Sequence, residues 1–477
     1  METETKTINV PNYIPIELHN INDGYIDQSI RLQSRINSIH SRGPICFVIL
    51  RDRLRTIQCC VLKRTIGVPS FKELIGLKTE TVIDISGKLS KLPDNIPEIK
   101  ATYYSKFEIQ IDNYKIISKT NVLPFMLSDA NFMDYENPET RSNPNVLAPQ
   151  RQQHRYFELR TPVNNCIFKL QSSISQAFRT NLLENNFIEI HSPKLIGTAS
   201  ESGSSVFKLD YFNTKAYLAQ SPQLYKQMCI NADFDRVFEI GPVFRAENCI
   251  SHRHLCEFTG MDIEMAIPIG ENYEYVIKTI WNTLCFIFDQ LKNKNMEELN
   301  FIKQYHKFND LVYGTEPLII DFKDGVKMLG EIGCHQGDDE DLSSSNEKKL
   351  GEIVKEIHGV DIFVLKGYPT NARPFYTMKS EDENYTNSFD IIMRGEEICS
   401  GAQRINDYNM LIDNINNTDT SGKLLESLKD YVESFAYGSK PHGGCGIGLE
   451  RVLMLYLELG NVRKVSLFPR DSNRITP

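Results

Sequence analysis

Between residues 29 and 118, SIRLQSRI alternates apolar and polar residues, and ICFVILRD, RTIQCCVLK, TVIDISGKL and FEIQIDNYKIIS continue the β pattern. A period of two turns one face of each segment toward a core and the other toward water, which predicts five strands. Turn signals, SRGP and RDR, separate the first three, and FKELIGL, between the third and fourth, reads as a short helix. Five strands with a helix after the third is the order of an OB barrel, whose strand face and loops bind single-stranded nucleic acid. An SH3-like or other small barrel satisfies the same pattern.

At 477 residues the chain is too long for one hydrophobic core and predicts two or three domains. Its formal charge of -9 is unevenly placed. Residues 1 to 120 hold 17 Lys+Arg against 13 Asp+Glu, or +4, so the rest of the 53 and 62 is 36 against 49, or -13. That balance excludes a protein that coats nucleic acid indiscriminately and points to the N-terminal module as the part facing a polyanion. No run reaches the ~20 apolar residues that span a bilayer, and no charged start followed by an apolar core marks a leader. With 11 cysteines lacking CxxC spacing, a reduced, cytoplasmic protein with no membrane partner is expected.

Three domain-scale segments follow: an N-terminal segment and barrel over 1–120, a Pro- and Asn-rich hinge over 121–160, and a second domain over 161–477 with a mixed insertion around 270–385. In the second domain Ile167, Leu170, Ile174, Phe178 and Leu182 recur at helical spacing, and the helix should stop at Asn185-Asn186 before the strand FIEI and Pro193. The run GDDEDLSSSNEKK, 337 to 349, predicts a solvated loop. Near the end, GGCGIGLERVLMLYLELG takes glycines into an apolar helix.

The stretch FRAENCISHRHLCEFTGMDIEM, 244 to 265, is the densest in functional groups. Cys249, His252, His254 and Cys256 could be ligands to zinc, but a Cys-x2-His-x-His-x-Cys arrangement converges on one point only if the loop collapses onto itself. Arg245, Arg253 and the two histidines instead suit a phosphate pocket. The helix with its following strand and Pro193, then FRAE, then GIGLER, are similar to the three ordered motifs of class II aminoacyl-tRNA synthetases. SESGSSVF, AQSPQLYKQM, YPTNARPFYTM and RGEEICSGAQR extend the resemblance to aspartyl-tRNA synthetases of the eukaryotic and archaeal type, over nearly the whole chain.

That resemblance implies an α+β catalytic domain with a six-stranded antiparallel sheet flanked by helices, preceded by an all-β OB-fold barrel that binds the anticodon. It also implies a homodimer joined partly through the Pro193 motif, with ATP, Mg²⁺, L-aspartate and tRNA(Asp) as its ligands. Arg245 resembles the arginine on the α-phosphate and Arg451 the one on the γ-phosphate, while Phe258 would stack on adenine beside Glu247 and His254. Asp390 and Glu397 resemble Mg²⁺ ligands. Arg404 resembles the residue gripping the aspartate side chain, with Lys226 beside it, and two cations there favour aspartate over asparagine. Ser200, Glu201, Gln223, Asp262 and Ser400 would complete the aspartate pocket. In the barrel, Phe47, Gln58 and Glu108 match anticodon-reading positions, although ICFVIL is apolar at both parities and makes Phe47 equally a core candidate.

The chain departs from the family pattern at Ser202 and Cys445, where glycines are usual, and its first residues lack a lysine-rich helix. An asparaginyl-tRNA synthetase shares the fold and chemistry and is the nearest alternative. An asparagine synthetase on this fold would have no use for an anticodon barrel. A catalytically silent tRNA-binding relative should have lost Arg245, Arg451, Glu397 or Arg404, and all four are present.

Overall fold

The computed structural model describes residues 13–477 apart from 94, 135–145, 198–205, 249 and 338. Two compact units divide the chain, Met1–Asn165 and Cys166–Pro477. In the first, β1 (Ser29–Arg42), β2 (Ile45–Asp52), β3 (Arg55–Leu62), β4 (Val82–Lys91) and β5 (Phe107–Ser118) close a barrel, with helix α1 (Val68–Ile75) between β3 and β4. Closure comes from β1, which pairs antiparallel with both β2 and β4, while β3 and β5 pair in parallel. Alternation decides which side chains fill it. Cys46, Val48 and Leu50 of β2 are fully buried inside with Ile30, Leu32 and Ile36 of β1, whereas Phe47 lies on the opposite side of its strand and is only partly covered.

Within the segment expected as a hinge, the described residues 121–134 and 146–160 pack together. Phe125, Leu127, Ala130, Val146 and Phe157 form their own apolar cluster. Beside them Arg151 is fully buried, its guanidinium donating to the carbonyls of Val146, Ala130 and Phe132 at 2.6–2.7 Å and pairing with Glu158 at 3.2 Å. Scattered apolar residues without a period gave no signal of this packing.

The second unit is built on helix α2 (Pro162–Glu184), whose Ile167, Leu170, Ile174, Phe178 and Leu182 are all buried. Its sheet contains β6 (Ile188–Glu189), β7 (Arg236–Phe244), β8 (Glu257–Ala266), β9 (Ile319–Asp321), β10 (Ile362–Lys366), β11 (Ser388–Met393), β12 (Glu396–Gln403) and β13 (His442–Gly448), in the order β9-β10-β11-β12-β13-β8-β7-β6. The six central strands are antiparallel, as the resemblance implies, and one short parallel strand is added at each edge. Helices α3 (Gln223–Asn231), α4 (Glu274–Lys294), α5 (Ser344–His358) and α6 (Leu449–Tyr456) belong to the same unit. Among the described residues no helix is long and apolar enough to cross a membrane.

The acidic run at 337–349 is not simply a solvated loop. Ser343 caps α5 by accepting from the Asn346 N–H, and Glu347 turns inward to pair with Arg253 at 2.6 Å. A partner 94 residues away in sequence draws that carboxylate out of water, which charge density alone cannot reveal.

Candidate active site

Strand register assembles the site. Glu239 of β7 is opposite Asp262 of β8, Asp262 opposite Gly446 of β13, Gly446 opposite Ser400 of β12, and Ser400 opposite Asp390 of β11. One row thus crosses five strands, and period-two alternation sends Glu264, Gly444 and Ala402, two residues along, to the same side. The glycines keep the sheet tight there. A Cβ on Gly444 would stand 2.0 Å from the Ile263 carbonyl oxygen, and one on Gly446 would stand 3.3 Å from Asp262 Oδ1. Cys445 has the other parity, is fully buried and is not part of the cavity wall, so its extra volume falls on the far side of the sheet.

A cavity of about 280 Å³ covers this row. Its charged floor is largely prepaired. Arg404 donates from Nε to Glu264 Oε1 at 2.9 Å and from Nη2 to Gln223 Oε1 at 3.0 Å, with its guanidinium 5.5 Å from the Tyr376 ring centroid. Its Nη1 has no hydrogen-bond partner among the described residues. Burial works against the Glu264 carboxylate, yet Arg404 and Lys226 outweigh it and hold its pKa below the usual value.

Lys226 is placed differently from the expectation. Its ammonium is wholly buried and does not line the cavity; it donates to Asp262 Oδ1 at 3.0 Å and to the Ile263 and Cys445 carbonyls at 3.3 and 3.0 Å. Burial opposes its charge, but Asp262 and Glu264 more than compensate and move the pKa upward. Lys226 therefore fixes Asp262 from behind. The second cation on the cavity wall is Arg373, to which the sequence reading gave no role beyond its place in YPTNARPFYTM.

Arg373 is held by a bidentate fork to Asp390, 3.1 and 2.7 Å, donates to Ser400 Oγ at 2.9 Å, and lies 3.8 Å over the Tyr368 ring. Its buried Nε has no partner among the described residues. The consequence for Asp390 is that both oxygens are already engaged and the side chain stays off the cavity wall. Glu397 does face the cavity, with Arg451 Nη1 3.9 Å from its carboxylate and 2.8 Å from its carbonyl oxygen. No group of three or more His, Cys, Asp or Glu among the described residues could cage a metal. One open carboxylate fits Mg²⁺, which takes few protein oxygens and completes its octahedron with phosphate and water; Asp390 could join only if Arg373 withdrew.

Above the floor, the loop joining β7 to β8 carries the arginines. Arg245 follows β7 directly, its backbone fixed by donation to the Cys256 carbonyl, and its guanidinium is 5.5 Å from the Phe258 ring with no ion pair or hydrogen bond among the described residues. Its fork is uncommitted. Arg253, by contrast, is tied to Glu347 and Ser344 on α5. His254 lies against Ser251 at 2.6 Å, and burial, reinforced by the charges of Arg451, Arg253 and Arg245, pushes its pKa down to about 4, so it lines the pocket as a neutral ring. Glu247 and Phe258 share the cavity wall with it.

The loop's other candidate zinc ligands take unrelated partners. His252 Nε2 meets Glu396 at 2.8 Å, and the buried Cys256 thiol donates to the Glu247 carbonyl at 3.7 Å. Ser200, Glu201, Ser202 and Cys249 lie outside the described residues. Pro193 is exposed between β6 and the strand Leu195–Ile196. In the barrel, Gln58 and Glu108 are register partners on β3 and β5, joined by a 2.6 Å hydrogen bond, and Phe47 projects from the neighbouring β2.

Comparison with known proteins yields two family models, tRNA synthetases class II (D, K and N) over residues 148–472 and an OB-fold nucleic acid binding domain over residues 30–117. The cytoplasmic aspartate–tRNA ligase of Homo sapiens is 38% identical over 475 residues, covering 98% of this chain and 92% of that protein. Among solved structures, the aspartyl-tRNA synthetase of Entamoeba histolytica aligns with a TM-score of 0.86 at 36% identity, covering 98% of this chain and 94% of that one. The asparaginyl-tRNA synthetase of Pyrococcus horikoshii, complexed with asparaginyl-adenylate, aligns with a TM-score of 0.84 at 25% identity, over 97% and 99% of the two chains.

Proposed function

The chain belongs to the class II tRNA synthetases of the D, K and N group, and from that premise we propose that it ligates L-aspartate to tRNA(Asp) in the cytoplasm, at the expense of ATP. The observation that carries the amino-acid choice is Arg404, buried, clamped by Glu264 and Gln223, and left with Nη1 uncommitted at the cavity. A fixed guanidinium there rewards a carboxylate side chain. An amide offers the free Nη1 a weaker acceptor than a charged carboxylate oxygen and so gives up a charge-assisted hydrogen bond. Arg373, on the same cavity wall, takes the place of the second cation that Lys226 was expected to give.

Chemistry then follows from two anions brought together. The uncommitted fork of Arg245 receives the α-phosphate, Arg451 the far phosphate, and Phe258 the adenine. Neutral His254 lines the pocket without adding to the arginine charge. Asp262, fixed by Lys226, and Gln223 orient the aspartate ammonium and carboxylate, with Ser200, Glu201 and Ser400 as further members of that pocket. Mg²⁺, when bound, would neutralise phosphate charge, and Glu397 is the residue placed to hold it. The aspartate α-carboxylate attacks the α-phosphorus, the bond to pyrophosphate breaks, and the terminal ribose hydroxyl of tRNA next displaces AMP from the aspartyl-adenylate. Positioning and charge stabilisation suffice, and no dedicated base is needed for the first step.

In the barrel, Phe47 offers a stacking face, and the Gln58–Glu108 pair presents amide and carboxylate edges to anticodon bases. A homodimer that covers the exposed Pro193 completes the reading. The decisive test is aminoacylation with aspartate and asparagine on tRNA(Asp) and tRNA(Asn). Aspartate should pass to tRNA(Asp), and Arg404→Ala should lower kcat/KM by roughly a hundredfold or more, the equivalent of losing a buried charge partner. Preference for asparagine would identify the pocket as that of an asparagine enzyme, and aspartate activity surviving in the variant would mean that Arg404 does not grip the side chain.

A further inference from the structure

A second cavity, of about 410 Å³, lies wholly within the barrel-containing unit and is walled by arginines: Arg35 on β1, Arg51 at the end of β2, Arg53 in the following turn, and Arg160 from the segment before α2. One carboxylate stands among them. Glu80 pairs with Arg51 at 2.5 Å, with Arg160 at 3.5 Å and with Arg35 at 4.0 Å, and Arg35 also donates to its carbonyl oxygen at 3.2 Å. Glu80 adopts a positive φ of 68°, a conformation costly for a residue with a side chain, so the surrounding contacts hold it in place. Asp52 is the only acid on the wall itself, and with Glu80 buried behind the arginines four positive charges stand against two negative ones, a surplus of +2.

A network that served packing alone would balance. This one is graded instead: the Arg51–Glu80 pair at its base is almost entirely buried, the Arg35 and Arg160 side chains are about a third exposed, and exposed Arg53 has no hydrogen bond or ion pair among the described residues. Burial, then the neighbouring Arg160 charge, depress the pKa of Arg35, as expected where guanidinium groups outnumber their counterions. The base holds the geometry and the rim offers free donors. Planar forks in such numbers match the oxygens of phosphate. Position argues for nucleic acid as its source, since Arg51 is on the same side of β2 as Phe47, four residues and thus ~13 Å along the strand.

We propose that Arg35, Arg51, Arg53 and Arg160 form a phosphodiester-binding site that grips the tRNA backbone a few nucleotides from the bases read at Phe47, Gln58 and Glu108. It rests on the tRNA-ligating reading above and adds to it the place where the barrel unit takes hold of the backbone. Gripping two or more phosphates there gives affinity and register without reading sequence.

The test uses the full chain with Arg35→Gln and Arg160→Gln together, leaving the buried Arg51–Glu80 pair intact. Aspartate-dependent pyrophosphate exchange, measured without tRNA, should be unchanged. The Kd for tRNA(Asp) should rise on the order of tenfold, and the slope of log affinity against log salt should shrink by about one to two. Should the double variant lose exchange as well, Arg53→Gln, which removes no contact of the fold, should show about half the change in slope. Wild-type affinity and slope in an exchange-competent variant would overturn the site. So would a variant that loses binding of inorganic tripolyphosphate yet keeps its tRNA affinity, since the ligand would then be a soluble polyphosphate. Absence of exchange in the unaltered protein would instead overturn the ligase reading and leave the tRNA measurement to judge the cluster.

Discussion

Glu450 shows how far one residue's environment can move its chemistry. It occupies the first turn of α6, accepts from the Thr259 N–H at 3.0 and 3.2 Å, and is lifted by burial from 4.5 to about 7. A carboxyl whose folded pKa is raised keeps its proton where the unfolded chain has lost it. Its contribution to stability is therefore greatest at low pH and is lost as pH rises from about 4.5 through 7, by up to about 3 kcal/mol. Glu450→Gln should remove most of that fall, read as denaturation midpoints at pH 5 and pH 8; equal losses in both proteins would show that another group titrates. Arg373 makes the converse case. Arg373→Gln strands Asp390, which is 4% exposed, without a counterion and should cost about 3–5 kcal/mol. Adding Asp390→Asn should recover a large part of it, and strictly additive losses in the denaturation cycle would mean the two do not act as a pair.

Among the elements, β13 carries the most contrasting demands on adjacent residues. Gly444 closes on the Ile263 carbonyl, so Gly444→Ala must push β13 and β8 apart at the centre of the sheet. A loss of about 3 kcal/mol or more and a clearly lowered Tm are expected. Cys445→Gly, one residue on and facing the other way, removes buried volume and costs about 1–2 kcal/mol, but leaves the KM values for ATP and aspartate in place. Unequal effects on stability with unchanged substrate binding in the second variant would establish which side of β13 faces the ligand; a shift in KM for Cys445→Gly would contradict the register. The same alternation explains Phe47. An apolar run gives no parity, whereas the closed barrel puts Cys46, Val48 and Leu50 inside and leaves Phe47 outside.

At the scale of the whole molecule, two compact units divide the labour, one for activating aspartate and one for recognising RNA. Phe47→Ala should therefore raise the KM for tRNA(Asp) about tenfold, in the range of a lost base stack, with pyrophosphate exchange unaffected; a parallel fall in exchange would show that Phe47 supports folding. Local pattern determined much of this plan. Period-two alternation specified five barrel strands, period-3.6 spacing specified α2, and ordered motifs specified the synthetase chemistry, because each signal is contained in a short window where backbone geometry repeats. Tertiary structure alone decided the rest. Lys226 turned behind Asp262, Arg373 took Asp390, Glu347 left water for Arg253, and the described residues on both sides of 135–145 packed around Arg151. Each depends on which charges and carbonyls end up within 3–4 Å after the strands have paired, and burial makes those pairings compulsory while sequence distance conceals them.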